Sequence, residues 1–272
     1  MGKLGALALA LVLLLAACGG GDGGAAAGAR MAAPQASGFR TRTPGVLTVA
    51  TELPNPPFVL GDDLDALEGG FEVDMVGEIA HRLGVKQVRW VEFPFTKLVA
   101  GAPCPCDFAV NGVSILPDRQ QRVDFSSPYF TANQGVLVRK GTKVDGVEDA
   151  RRLRFGVQEA TSGAAYLDRH LQPMEPAREY GSTEAAFAAL RAGQVEAVMS
   201  DVPIVVDAAR RYPGLTVAGQ FKTDEQYGAV LAKGSPNTRP LSQVIDQLRE
   251  EGALDRLFQK YFPEQVNIPS LG

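Results

Sequence analysis

Residues 107–130 read DFAVNGVSILPDRQQRVDFSSPYF. The apolar run 108–110 has the composition of a buried strand, and it breaks into Asn111-Gly112-Val113-Ser114, with Arg119 a short way beyond. In an open α/β sheet, ligands collect where strands end at their carboxyl tips. A turn of small residues there offers backbone N–H and C=O groups. Arg119 adds a planar fork that matches a carboxylate through two parallel hydrogen bonds. Such a turn suits a small anion or a zwitterion. The plainer alternative is an ordinary strand-to-helix loop with a surface arginine.

Upstream, Lys3 precedes an apolar run at 4–15 and the segment Leu15-Ala16-Ala17-Cys18. The run is too short to span a bilayer, so residues 1–17 are expected to be a signal peptide. Small residues immediately before a cysteine look like a bacterial lipobox, in which Cys18 would be lipidated and become the mature N-terminus. Plain secretion with an incidental cysteine is the alternative. Residues 19–43 are rich in Gly and Ala without an apolar period, which gives residues 18–43 the character of a lipidated, flexible tether. The expected location is extracytoplasmic, anchored to the cell membrane through Cys18.

The remaining ~220 residues suit one large or two small domains. The chain of 272 residues is 45% hydrophobic, ample for a core, and carries a formal net charge of −4. That balance argues against nucleic acid as a partner, which calls for a basic stripe. Past the leader, no apolar run is long enough to cross a membrane. Besides Cys18 there are Cys104 and Cys106, and the two histidines, His81 and His170, lie far from both in sequence. No metal site is expected. Outside the cytoplasm a disulfide is chemically permitted. A bridge across a single intervening residue closes a very small ring, and sequence leaves a Cys104–Cys106 disulfide and a pair of free thiols both open.

One pattern occurs twice. Phe95-x-x-Leu98-x-Ala100-Gly101 leads, through Asp107, into Val110-Asn111-Gly112-Val113, and Phe187-x-x-Leu190-x-Ala192-Gly193 leads, through Glu196, into Val198-Met199-Ser200-Asp201-Val202. Each copy reads as a short helix stopped by a glycine, then a buried strand. Around them, strands are predicted at 46–51, 88–91, 129–140, 154–157, 178–180, 215–218 and 226–233. Helices are predicted at 73–83, from Thr161, and at 203–211, 239–250 and 253–262. Alternation of this kind implies parallel sheets. A chain that builds one lobe, then a second, and returns would cross twice, near 130–137 and 220–227, and two crossover strands make a hinge.

These motifs together resemble the bacterial extracellular solute-binding proteins of family 3, the receptors of polar amino-acid ABC importers. The likeness runs from about Gly45 to Phe262 through GVLTVATELPNPPF, GGFEVDMVGEIAHRLG, NGVSILPDRQQRVDFSSPYF, FGVQEATSG, AGQVEAVMSD and EQYGAVLAKGS. The resemblance implies the two-lobed periplasmic-binding-protein type II fold, each lobe a mainly parallel sheet flanked by helices. Residues 44–132 with 226–265 would form lobe 1, and residues 133–225 lobe 2. It also implies an amino acid as ligand, permease subunits as partners, a monomer, and no cofactor or enzymatic activity.

Carried over residue by residue, Arg119 would pair with a ligand α-carboxylate. Ser114 would bond the ligand backbone, and the Gly112 carbonyl would accept from its α-ammonium. Thr161 and Ser162 would meet the carboxylate at a helix start, and Asp201 would take the ammonium. Phe95 would stack on the ligand side chain. Several of these residues have duller roles open to them: Arg119 as an ion-pair partner of Asp124, Thr161 and Asp201 as helix caps, Phe95 as core.

The chain departs from the family at Glu52 and Asn55, where many relatives carry an aspartate and a tyrosine before Pro-Pro-Phe. Glu52 disfavours acidic ligands. Asn111 and Gln158 donate and accept, and so fit an amide or guanidinium side chain. A basic or amide L-amino acid is therefore expected. The competing functions are a solute-sensing lipoprotein and an enzyme resembling cyclohexadienyl dehydratase. For the enzyme, Glu52 is the one cleft carboxylate left over, and residues 202–204 offer no acid after Asp201.

Overall fold

The computed structural model describes residues 38–262 and 267–272. The signal peptide, Cys18 and most of the tether lie outside them. The first sheet begins with β1 (Val46–Thr51), α1 (Phe71–Arg82), β2 (Gln87–Glu92), α2 (Phe95–Val99), β3 (Phe108–Ala109), α3 (Pro117–Gln120) and β4 (Val123–Phe125). The chain then leaves along β5 (Phe130–Arg139). It continues through α4 (Val147–Arg151), β6 (Phe155–Gln158), α5 (Ser162–Tyr166), a π-helical turn (Leu167–Leu171), β7 (Arg178–Tyr180), α6 (Thr183–Arg191), β8 (Ala197–Asp201) and α7 (Val202–Arg211). It returns along β9 (Leu215–Tyr227) to β10 (Val230–Ala232), α8 (Thr238–Glu250) and α9 (Ala253–Tyr261).

Both sheets are mixed. Their strand orders are β2-β1-β3-β10-β4 and β7-β6-β8-β5-β9. In each, a central strand pairs in parallel with two neighbours: β1 with β2 and β3, and β6 with β7 and β8. Antiparallel strands complete both sheets. The parallel trio is what the strand–helix alternation predicts, and the antiparallel additions come from the crossing and returning segments. β1 is buried along nearly its whole length, as a central strand covered on both faces must be. In α1, Met75, Val76, Ile79 and Ala80 form the buried stripe. Glu72 and Asp74 in its first turn and His81 and Arg82 in its last match the helix dipole.

The repeated motif occupies equivalent places, with α2 leading to β3 and α6 leading to β8. Both helices end on the same hydrogen-bond pattern. The Gly101 and Ala102 N–H groups donate back to the Leu98 and Lys97 carbonyls, and those of Gly193 and Gln194 to Leu190 and Ala189. Gly101 and Gly193 adopt left-handed φ values of 79° and 75°, which explains glycine at both stops.

The ends of β5 and β9 near Phe130 and Tyr227 sit in a core with α1, α8 and α9. Farther along, Val136, Val138 and Phe221 belong to the core of the second sheet. The two strands pair from Phe130↔Tyr227 to Arg139↔Leu215, with an interruption where Asn133 alone faces residues 222–224. Asn133 Oδ1 accepts the N–H groups of Thr223 (3.1 Å) and Asp224 (3.0 Å), so one side chain closes the bulge. Beyond α9, residues 267–272 run against β9. Leu271 donates to Gln220 O, Gln220 donates to Pro269 O, and the Leu271 side chain is buried in the second core.

Three features differ from the sequence reading, and a fourth decides an alternative it left open. The strand predicted at 226–233 is the tail of β9 followed by β10, and β9 reaches back to Leu215, because the crossover belongs to a long hinge strand. The short elements α3, β4, α4 and the π-helical turn span too few residues to show a period. Residues 39–42, assigned to the tether, are docked. Phe39 packs edge-on against Phe108, Arg40 N–H donates to Asn237 Oδ1 (3.0 Å), and Arg42 N–H donates to Asp107 Oδ1 (2.6 Å). Cys104 and Cys106 are joined as a disulfide, their Cα atoms 5.3 Å apart.

Candidate functional site

All eleven residues singled out by sequence line one cleft of about 750 Å³, its solvent mouth included. They arrive there from strand ends in both sheets. Glu52 and Asn55 follow β1, while Asn111, Gly112 and Ser114 follow β3. Gln158 ends β6, with Thr161 and Ser162 just after it, and Asp201 ends β8. Phe95 opens α2 and Arg119 lies in α3. This is the carboxyl-tip geometry of open α/β sheets, drawn from two sheets at once.

Arg119 is 3% exposed. Its guanidinium lies 5.5 Å from the centre of the Phe95 ring, and it donates to the backbone carbonyls of Ser114 (3.0 Å) and Ala160 (2.9 Å). Burial lowers its pKa, and Asp118, Asp201 and Glu225 oppose that shift. Asp124, the ion-pair partner weighed for it, instead binds Lys233 Nζ at 3.1 Å. The Ala160 carbonyl belongs to a left-handed residue (φ 60°) just before the α5 cap, so Arg119 ties the two sides of the cleft together.

Asp201 stands at the N-cap position of α7 but makes no side-chain cap bond. Its carboxylate accepts from Gln134 Nε2 and the Tyr227 hydroxyl, each at 2.5 Å. Burial, then the neighbouring charge of Glu225, raises its pKa to about 7, against the hydrogen bonds of Tyr227 and Gln134 and the charge of Arg119. Glu225 also accepts from Ser114 Oγ (2.7 Å) and Gln134 Nε2 (3.1 Å), and Ser114 Oγ lies 3.3 Å from Ser162 Oγ.

The other end of the cleft is amide-rich. Gln158 Nε2 donates weakly to Glu52 (3.4 Å) and its Oε1 accepts from Thr183 (2.6 Å), while Asn111 Oδ1 accepts from Asn55 Nδ2 (2.8 Å). Burial raises the pKa of Glu52, partly offset by the Phe95 N–H. Thr161 accepts the Ala164 N–H (3.1 Å), so it does cap α5. Gly112 donates its N–H to Glu72 Oε1 at 2.8 Å. Glu72 is fully buried, also receives the Tyr129 hydroxyl, and has its pKa raised by burial to about 7.

Sequence reasoning missed Gln134, which lines the cleft from β5, Glu225 and Tyr227 of β9, which bond the lining residues Ser114 and Asp201, and Glu72 behind Gly112. A glutamine inside the apolar run of β5 is the one local signal that pointed there. Glu52 is also not the single remaining carboxylate. Glu184 lines the cleft, although its oxygens are taken by Arg211 (2.6 Å) and Tyr212 (2.9 Å). Among the described residues there is no cluster of metal ligands and no helix long and apolar enough to cross a membrane.

Two mixed α/β sheets joined by a pair of crossing strands, with strand tips from both meeting at one cleft, define the periplasmic-binding-protein type II fold. The chain belongs to the bacterial extracellular solute-binding proteins, family 3, whose model matches residues 47–264. The curated relatives place it with the amino-acid-binding proteins of ABC transporters. It is 30% identical to a probable histidine-binding protein of Neisseria gonorrhoeae over 88% of this chain and 89% of that one. It is 27% identical to the ABC transporter glutamine-binding protein GlnH of Bacillus subtilis over 72% and 73%.

Among solved structures, an ancestral arginine-binding protein bound to glutamine superposes with a TM-score of 0.73 at 28% identity, covering 82% of this chain and all of that one. An ancestral amino-acid-binding protein described as a precursor of cyclohexadienyl dehydratase reaches 0.70 at 27% identity, covering 80% and 95%.

Proposed function

We propose that this protein is the extracytoplasmic substrate-binding component of an amino-acid ABC importer, taking a basic or amide L-amino acid into the cleft by hinge closure. The observation that carries the proposal is that Arg119, in α3 between β3 and β4 of the first sheet, and Asp201, at the end of β8 in the second, line the same cleft. A zwitterion would lay its carboxylate against Arg119, Thr161 and Ser162. Its ammonium would go to Asp201 and the Gly112 carbonyl. Its side chain would extend toward Glu52, Asn55, Asn111 and Gln158, beside Phe95. Glu52 favours a cationic or hydrogen-bond-donating side chain over an acidic one.

Residues 44–132 with 226–265 would move as one lobe and residues 133–225 as the other, pivoting on β5 and β9 about the Asn133 bulge. Closure is favoured because contacts to both poles of the ligand exist together only when the lobes approach. The protein would act as a monomer, held to the membrane through lipidated Cys18, and deliver its ligand to permease subunits. We take it to be a receptor rather than an enzyme, since Asp201 is given to the ligand ammonium, Glu184 is held by Arg211 and Tyr212, and Glu52, bonded weakly by Gln158, has no free second acid to work with.

A thermal-shift panel over the common amino acids tests this. A ligand at ~100 times its dissociation constant adds about 2.7 kcal/mol, worth roughly 2–4 °C for a chain of this size. One or a few polar amino acids should protect the wild type, and none should protect Arg119→Ala or Asp201→Ala. Protection that survives both substitutions, or turnover of prephenate or arogenate, would overturn the proposal.

A further inference from the structure

Tyr227 is the last residue of β9 and is completely buried. Its backbone is fixed twice: the Tyr129 N–H donates to its carbonyl at 2.9 Å, and it forms a bridge with Ser114. Its hydroxyl donates to Asp201 Oδ2 at 2.5 Å, joining the end of β9 to the end of β8. Its ring backs Gly112, since a methyl group added there would stand 3.4 Å from the ring edge. Gly112 has φ 59° and is held from the other side by Glu72. One side chain therefore bonds Asp201 and backs the turn at Gly112, the two places to which the proposed function gives the ligand ammonium.

We propose that Tyr227 is a positioning residue of the ammonium subsite, aiming the Asp201 carboxylate with its hydroxyl and bracing the Gly112 carbonyl turn with its ring. This rests on the amino-acid reading of the cleft. The carboxylate needs such support because it leaves the helix cap unused and is gripped at each oxygen by a different strand: Gln134 of β5 at Oδ1 and Tyr227 of β9 at Oδ2. Each oxygen keeps a lone pair for an incoming N–H. A hydroxyl donating to an ionised carboxylate is a strong, charge-assisted bond that favours the charged form.

The other charged or titratable groups acting on Asp201 are Glu225 from β9, which opposes ionisation, and Arg119 from α3, which favours it. The phenol itself is held well above its ordinary range by burial and by Asp201, so it stays a donor through neutral pH. Removing the hydroxyl should leave Asp201 harder to ionise and free to turn away from the ammonium.

The test is Tyr227→Phe, which keeps the ring behind Gly112, with affinity for the amino acid found in the panel measured across pH. The variant should bind about tenfold more weakly near neutrality. Its affinity should also fade at a pH about one unit higher than in the wild type, as expected when a carboxylate loses a donor. A merely structural tyrosine would leave that profile in place. Wild-type affinity with a wild-type pH profile in the variant overturns this proposal alone, whereas a wild type that binds no amino acid overturns the reading beneath it as well. Should the variant fail to fold, the wild type still decides. Its Tyr227 hydroxyl proton should be visible by NMR, protected from exchange and close to Asp201, and a freely exchanging hydroxyl would contradict the assignment.

Discussion

At the scale of single residues, the cleft combines one guanidinium with carboxylates that water no longer stabilises. Arg119 already gives donors to two carbonyls and faces Phe95, so Arg119→Lys would keep the charge while losing the fork. Calorimetry should show Arg119→Ala weakening binding by about a hundredfold or more and Arg119→Lys by a clearly measurable part of that.

Glu72 offers a separate test, on stability. Its pKa in the fold is raised from 4.5 to about 7, so between those values the native protein holds a proton that the unfolded chain has released. Its contribution is fully present below about pH 4.5 and is lost as pH rises through about 7. Glu72→Gln, which keeps the acceptor for Gly112 and Tyr129, should remove that part of the slope. The difference between wild type and variant in denaturant unfolding should change by on the order of 3 kcal/mol between pH 4.5 and pH 8. Parallel pH dependences in the two proteins would count against a buried, protonatable Glu72. Asp201 should act in the same direction in the ligand-free protein.

At the scale of elements, the two glycine stops differ in surroundings though not in conformation. A methyl group on Gly193 would meet nothing within 4 Å, while one on Gly101 would stand 2.9 Å from the Arg122 carbonyl. Thermal unfolding should therefore show Gly193→Ala costing about 1 kcal/mol, the left-handed backbone alone, and Gly101→Ala distinctly more. Equal costs would mean the Arg122 segment yields freely. The C-terminal segment supplies another prediction. Leu271→Ala empties a buried position beside Gly219 in the second core and should destabilise the protein by about 2 kcal/mol or more, read as a lowered urea midpoint.

The elements carrying the site were legible in sequence wherever a period or a stop signal was long enough to register, as in α1, the glycine-stopped α2 and α6, and β1, β3, β6 and β8. The strand tip after β3 then announced Asn111, Gly112 and Ser114 by position, while Thr161 and Asp201 came from the family resemblance. Gln134, Glu225 and Tyr227 were not legible because strand pairing and a three-residue bulge set Gln134 in the cleft and the other two against its lining residues. Neither leaves a trace in local hydrophobic alternation. The docking of residues 39–42 escaped for the same reason: composition marks a Gly/Ala-rich segment as loose, and the anchors Asp107 and Asn237 are remote in sequence.

For the whole molecule, the two sheets repeat one parallel plan, and the paired strands β5 and β9 join them, β5 lining the cleft with Gln134 and β9 bonding the lining residues Ser114 and Asp201. Movement at the hinge and the aim of Asp201 thus depend on the same strands. Scattering in solution should show the radius of gyration falling when the ligand is added, and failing to fall in Asp201→Asn. A ligand that binds the wild type without compaction would argue against closure.

The sharpest test is titration calorimetry of the wild type with the amino acid it prefers, beside that compound's decarboxylated and deaminated analogues. A cleft that grips both poles should lose about a hundredfold in affinity for each analogue. An analogue lacking one pole that binds as tightly as the parent would contradict the account.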